Sequence, residues 1–123
     1  MPKLTELRPM LYTADLDATI AFYVGTLDFN LDERSDEFGW ASLSRDQVAL
    51  MISTPNAHTA FEKATFTGSF YINVDDVEAQ WAALKDKTNV CYGLETFAYG
   101  MREFAIYDNN GYLLQFGQPT HDE

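Results

Sequence analysis

The strongest constraint on this chain is that it repeats itself. Leu11-Tyr12-Thr13-Ala14-Asp15-Leu16-Asp17-Ala18 is echoed by Ile72-Asn73-Val74-Asp75-Asp76-Val77-Glu78-Ala79, with Asp15 and Asp76 at an offset of 61. Both segments read as a short strand followed by an acidic helix start. Asp15, and Asp75 or Asp76, can accept backbone N–H bonds and favour the positive end of a helix. After Asp15, apolar residues fall at Leu16, Ile20, Tyr23, Val24 and Leu27, which is helical spacing. After Asp76 they fall at Val77, Trp81 and Leu84, a narrower stripe of the same period.

Each half then closes in a hairpin. Trp40–Ser44 and Gln47–Ile52 flank Arg45-Asp46. Glu103–Tyr107 and Tyr112–Phe116 flank Asp108-Asn109-Asn110-Gly111, where Gly111 suits a positive φ. Equating Trp40 with Phe104 gives an offset of 64, so the repeat carries a small insertion. Further strands are expected over Phe29–Glu33 and Val90–Tyr92. Each half is therefore strand–helix–strand–strand–strand. One domain of two repeats follows: a first βαβββ module over 7–52, a linker over 53–67 and a second module over 68–118.

Composition limits the partners. Eight basic and 19 acidic side chains give a net charge of −11 at pH 7. Such a surface repels phosphate backbones and anionic lipid, so no nucleic-acid partner is expected. No run of about 18 apolar residues is present, so no membrane span is expected. The opening Met1-Pro2-Lys3-Leu4-Thr5-Glu6 lacks the basic-then-apolar order of a signal peptide. With the single Cys91, this favours a cytoplasmic location, and Cys91 reads as a packing residue. Aromatics reach 15%, more than a minimal core needs, and a ligand pocket is one place for the surplus.

The ordered motifs resemble a known family. Asp15-Leu16-Asp17-Ala18-Thr19-Ile20-Ala21-Phe22-Tyr23, with Leu27-Asp28-Phe29, is similar to the first motif of the vicinal oxygen chelate superfamily of glyoxalases, bleomycin-resistance proteins and extradiol dioxygenases. Asp28 stands where that motif has glycine. Tyr99-Gly100-Met101-Arg102-Glu103-Phe104-Ala105 with Asp108-Asn109-Asn110-Gly111 resembles the bleomycin-resistance branch most closely. Asn109 and Asn110 depart from its usual Asp-Pro-Asp-Gly turn. The resemblance spans Leu7–Gln118. It implies an α+β fold in which two βαβββ modules form an open, barrel-like curved sheet with helices outside and a cavity inside. It also implies a homodimer, commonly with each cavity built from both chains.

The pleat suggests which residues face that cavity, because side chains alternate along a strand and opposite residues of a hairpin share a face. In the first hairpin Leu43 is expected opposite Val48 and Ala41 opposite Leu50, all toward the helix. Trp40 opposite Met51, and Ser42 opposite Ala49, take the other face. In the second hairpin Ala105 with Leu114 is expected on the helix side, and Phe104 with Gln115, and Ile106 with Leu113, toward the cavity. In the first strand of each half, Leu11, Thr13, Phe70, Ile72 and Val74 suit the helix side. Arg8, Met10, Tyr12, Ser69, Tyr71 and Asn73 are left facing in. A slip of one residue would exchange the faces.

The resemblance implies four metal positions in the metal-dependent members, filled by His, Gln and Glu. Here they fall on Arg8, Met51, Ser69 and Gln115. A guanidinium does not ligate, methionine is too soft for a hard oxygen-binding ion, and serine and glutamine are weak neutral donors. His58 sits in the linker and His121 is the third residue from the end. No metal and no cofactor are therefore expected, no Ser-His-Asp or Cys-His arrangement is visible, and catalytic residues cannot be named.

The leading functional reading is a metal-free protein that binds a planar or aromatic small molecule between the modules, with drug sequestration as one role. Its candidate ligand-binding residues are Tyr12, Phe38, Trp40, Met51, Tyr71, Tyr99, Arg102, Phe104 and Gln115, with Arg8 and Asn73 as further polar handles. A cationic ligand is disfavoured, because this set holds arginines and no assured carboxylate. The alternatives are an enzyme of the same superfamily (a lyase, isomerase or glutathione-type transferase, or one akin to a dioxygenase) and an interaction domain whose cavity is filled by its own side chains.

Overall fold

The computed structural model describes residues 2–55 and 61–120. The chain divides into two compact units, Met1–Lys63 and Ala64–Glu123. In the first unit the order is β1 (Met10–Tyr12), α1 (Leu16–Ala21), a π-helical turn (Phe22–Thr26), β2 (Asn30–Ser35), β3 (Trp40–Arg45) and β4 (Val48–Ser53). In the second it is β5 (Phe70–Asn73), α2 (Val77–Leu84), β6 (Asn89–Phe97), β7 (Met101–Tyr107) and β8 (Leu113–Pro119). Each unit builds one four-stranded mixed sheet, ordered β1-β4-β3-β2 in the first and β5-β8-β7-β6 in the second. The short first strand lies parallel to the last one in each sheet, and the other pairs are antiparallel.

Both helices start where the acidic residues place them. The Asp15 side chain accepts from the Ala18 N–H at 3.0 Å, and Asp76 accepts from Ala79 at 3.1 Å. Of the two candidates in the second repeat, Asp76 is therefore the cap. Thr13 and Thr19, both fully buried, share a 2.8 Å hydroxyl hydrogen bond that fastens the end of β1 to α1. In the second unit Gln118 does the equivalent task. Its Oε1 accepts from Val77 N–H at 2.9 Å and its Nε2 donates to the Asp75 carbonyl at 2.8 Å. Asp28 takes a φ of 62°, a left-handed conformation that aspartate tolerates, where the family motif has glycine.

The first core lies between α1 and one face of its sheet: Leu16, Ile20, Tyr23, Leu27, Ala41, Leu43, Leu50 and Ile52 are buried. Tyr23 meets Phe29 edge-to-face with ring centroids 5.4 Å apart. The turn is Asp46-Gln47, one residue later than the sequence suggested, with Leu43 opposite Leu50, Ser42 opposite Met51 and Trp40 opposite Ser53. Moving a two-residue turn by one position changes partners but preserves faces. The division into an apolar helix side and a face carrying Trp40, Ser42 and Met51 therefore stands.

The second hairpin needs a larger correction. Phe104 pairs with Phe116, Ala105 with Gln115, Ile106 with Leu114 and Tyr107 with Leu113. The loop spans 108–112, because Asp108 folds inward and its Oδ1 accepts from Asn110 and Tyr112 N–H at 2.8 and 2.9 Å. That moves the register by one residue, which turns β7 over relative to β8. Phe104 and Ile106 are thereby core residues, not cavity residues. Phe104 is fully buried between Trp81 of α2 at 5.1 Å and Phe116 at 5.2 Å. Arg102 shares that helix-facing side and donates from Nε to Glu78 Oε2 at 2.6 Å. It is not a handle on the opposite face. Cys91 is also corrected, since it is exposed rather than packed.

Candidate functional site

On the sheet faces turned away from the helices, the registers arrange side chains in rows. In the first unit Tyr12, Ser53 and Trp40 are successive neighbours across β1, β4 and β3, and Met10, Met51 and Ser42 form the next row. Trp40 is half-buried, and its indole N–H points at the Met51 sulfur at 3.3 Å. Arg8 donates to Ser42 Oγ at 2.5 Å and to Glu6 at 2.6 Å. Phe38, in the turn before β3, is 75% exposed. Trp40 and Met51 are thus brought into contact, while Phe38 stands apart in solvent.

In the second unit the corresponding rows are Asn73, Gly117, Glu103 and Tyr71, Gln115, Ala105, Tyr92. The counterpart of Trp40 is therefore Glu103, not Phe104. Glu103 is 1% exposed. Its two oxygens accept from two phenols, Tyr71 at 2.7 Å and Tyr92 at a shorter distance. Tyr92 Oη in turn accepts from Gln115 Nε2 at 2.8 Å, and Gln115 Oε1 accepts from Ser69 Oγ at 2.5 Å. Small side chains make this network fit. Tyr71 lies across Gly117, where an added Cβ would come within 2.1 Å of the hydroxyl. Ala105 leaves the gap over which Gln115 reaches Tyr92.

Tyr92 reaches this face through a β-bulge. Val90 is opposite Ile106 and Tyr92 opposite Ala105, so Cys91 is the extra residue of β6. The bulge carries Tyr92 from the helix side to the opposite side, a re-aiming that bulges commonly perform near functional sites. Sequence reasoning missed both Glu103 and Tyr92. The alternation Tyr71, Asn73 and Gln115 pointed to the right face, but nothing local to residues 90–92 signals a bulge.

The carboxylate and its burial control the phenols. Burial first, and the hydrogen bond to Glu103 second, push Tyr92 up to about 12 and Tyr71 higher still. Desolvation and the same carboxylate also raise Tyr99, which stacks on Phe97 with centroids 5.4 Å apart. The folded state therefore holds these protons more tightly than the unfolded chain, whose tyrosines titrate near 10. The stability contributed is complete below about pH 10 and is lost as pH rises toward and through 12. Ultraviolet tyrosinate titration should show at least two phenols ionising well after the rest, and denaturation midpoints should fall across the same window.

A family model described as the Glyoxalase/Bleomycin resistance protein/Dioxygenase superfamily matches residues 7–116. The chain belongs to this superfamily. No curated protein matches the chain. Among solved structures, a glyoxalase/bleomycin resistance protein/dioxygenase from Nocardioides is similar at 14% identity, with a TM-score of 0.81 over 100% of this chain and 88% of that one. A bleomycin-binding protein from Streptomyces verticillus, complexed with copper(II)-bleomycin, shares 25% identity over the full length of both chains, with a TM-score of 0.69. A lactoylglutathione lyase from Agrobacterium tumefaciens shares 18% identity over 96% of each chain, with a TM-score of 0.71. Two four-stranded mixed sheets with few helices, open rather than closed into barrels, match the glyoxalase/bleomycin-resistance fold.

The residues at the superfamily's metal positions do not fit a metal. In the first unit Arg8 is a cation engaged with Ser42 and Glu6, and the Met51 sulfur faces the Trp40 N–H. In the second, Ser69 donates to Gln115, and Gln115 donates to Tyr92. None of the four offers the anionic or imidazole donor a hard divalent ion needs. Among the described residues no group of three or more His, Cys, Asp or Glu side chains comes together. His58 and His121 lie outside the described residues. No helix is long and apolar enough to cross a membrane.

Proposed function

We propose that this chain is a metal-free small-molecule-binding member of the superfamily, taking a planar or aromatic ligand on the sheet faces opposite the helices. The observation that carries this reading is the closed polar network of Glu103, Tyr71, Tyr92, Gln115 and Ser69. It occupies the face where metal-dependent relatives would present ligands. It offers aromatic surface and fixed hydrogen-bonding groups instead. Sites of this kind bind by burial and stacking, with a few polar groups setting orientation. The first unit supports the same reading with Tyr12, Trp40 and Met51 on its corresponding face. Sequestration rather than turnover is the role we assign, because none of these groups is an activated nucleophile or a metal-bound base.

A thermal-shift screen over aromatic small molecules tests the proposal, since a ligand that binds only the native state raises apparent stability. No shift from any aromatic compound at millimolar concentration would count against it. With a hit in hand, Trp40→Ala is expected to weaken binding about tenfold, through lost stacking and burial. It is expected to cost little stability, because Trp40 is half-buried on the non-helix face. A loss of several kcal/mol with unchanged affinity would place the ring in the core instead.

A further inference from the structure

We propose that the open face of the second sheet recognises an organic cation, a protonated amine or amidinium, with Glu103 as its counter-ion and the rings of Tyr71, Tyr92 and Tyr99 as its walls. The inference rests on the binding reading above and names the chemical class of the ligand.

A buried carboxylate is normally paired with a cation or a metal. Glu103 is 1% exposed, yet among the described residues no Lys, Arg or His pairs with it. Its sequence neighbour Arg102 is directed to the opposite face, where it is held by Glu78. Two neutral phenols satisfy the carboxylate's hydrogen bonds but leave its charge uncompensated.

The phenols also orient the site. Tyr71 and Tyr92 each donate their only proton to Glu103, which leaves the Tyr71 oxygen an acceptor only. The Tyr92 oxygen is already engaged by Gln115, whereas Tyr71 is 41% exposed and Tyr99 65% exposed. Acceptor oxygens, ring faces and one negative charge all attract a cation, and an anion would meet no compensating charge. The overall charge of −11 adds attraction at long range. The sequence-based argument against a cationic ligand rested on Arg8 and Arg102 and on the lack of an assured carboxylate, and Arg102 lies on the helix side instead. The register of β7 supplies the carboxylate.

The test compares benzamidinium with benzamide, planar molecules of nearly equal shape that differ by one charge, on the full chain by calorimetry. The wild-type protein is expected to bind benzamidinium at least about tenfold more tightly, equivalent to about 1.4 kcal/mol. Glu103→Gln, which keeps one acceptor oxygen for the phenols, is expected to erase that preference. Equal affinities in the wild type, no benzamidinium binding, or a preference that survives in Glu103→Gln would each overturn the proposal. Should Glu103→Gln not fold, Tyr71→Phe decides. That variant keeps the ring and the carboxylate, so the preference for benzamidinium over benzamide should persist, and its loss would overturn the cation reading. Neutral aromatics that still bind in the absence of a cation preference would leave the broader binding proposal standing. Loss of all aromatic binding removes both.

Discussion

Phe104→Ala is expected to destabilise the protein by about 3–5 kcal/mol, the usual cost of emptying a large, closed core position. Phe104 has no exposed surface and is held between Trp81 and Phe116, at 5.1 and 5.2 Å, where α2 seats on its sheet. Truncation leaves a void lined by aromatic rings that cannot close without moving the helix. Urea denaturation of the variant against the wild type measures the loss. A cost below about 1 kcal/mol, the level expected of a ring on an open face, would restore the register in which Phe104 lies opposite Gln115. It would also remove Glu103 from the candidate site.

Glu103→Ala is expected to cost roughly 2–3 kcal/mol, because hydrogen bonds to a charged group each contribute about 1.5–3 kcal/mol and two are lost together. Part of that loss is offset, since the variant no longer buries a carboxylate and the Tyr71 hydroxyl can turn to water. The same physics predicts a rescue. Replacing all three partners, as Glu103→Leu with Tyr71→Phe and Tyr92→Phe, removes both phenol donors along with the acceptor, leaves Gln115 Nε2 without its phenol partner, and should recover part of the stability. The triple variant should at the same time lose the late-titrating phenols. Denaturation curves for the single and triple variants, fitted with a common slope, give both numbers. A single variant within 0.5 kcal/mol of wild type would mean that the network contributes nothing to the fold.

The two predictions meet at one strand, β7, and that strand shows where sequence reasoning stops. Residues 104–106 read Phe-Ala-Ile, apolar on both faces, so alternation cannot say which face meets the helix. The first hairpin differs. Ala41, Leu43, Leu50 and Ile52 alternate with Ser42, Ser44, Met51 and Ser53, and the correct faces survive a misplaced turn. In the second hairpin the outcome depends on the length of one loop. That length is set by the Asp108 carboxylate folding onto two N–H groups, a choice that propensity at Asp108-Asn109-Asn110-Gly111 does not make.

By itself the sequence determined the repeat, a helix start at Asp15 and another at Asp75 or Asp76, the strand–helix–strand–strand–strand succession of elements in each unit, and the family. These follow from local capping chemistry and from periodicity, which act over a few residues. The expectation of no metal at Arg8, Met51, Ser69 and Gln115 likewise rests on residue type alone. Only the tertiary structure decided that Glu103 and Tyr92, rather than Phe104 and Arg102, stand with Tyr71 and Gln115. One residue of loop length turned β7 over, and one extra residue at Cys91 turned β6. Because a strand alternates with period 2, each single-residue event exchanges core for site, and neither leaves a signal in the segment it displaces.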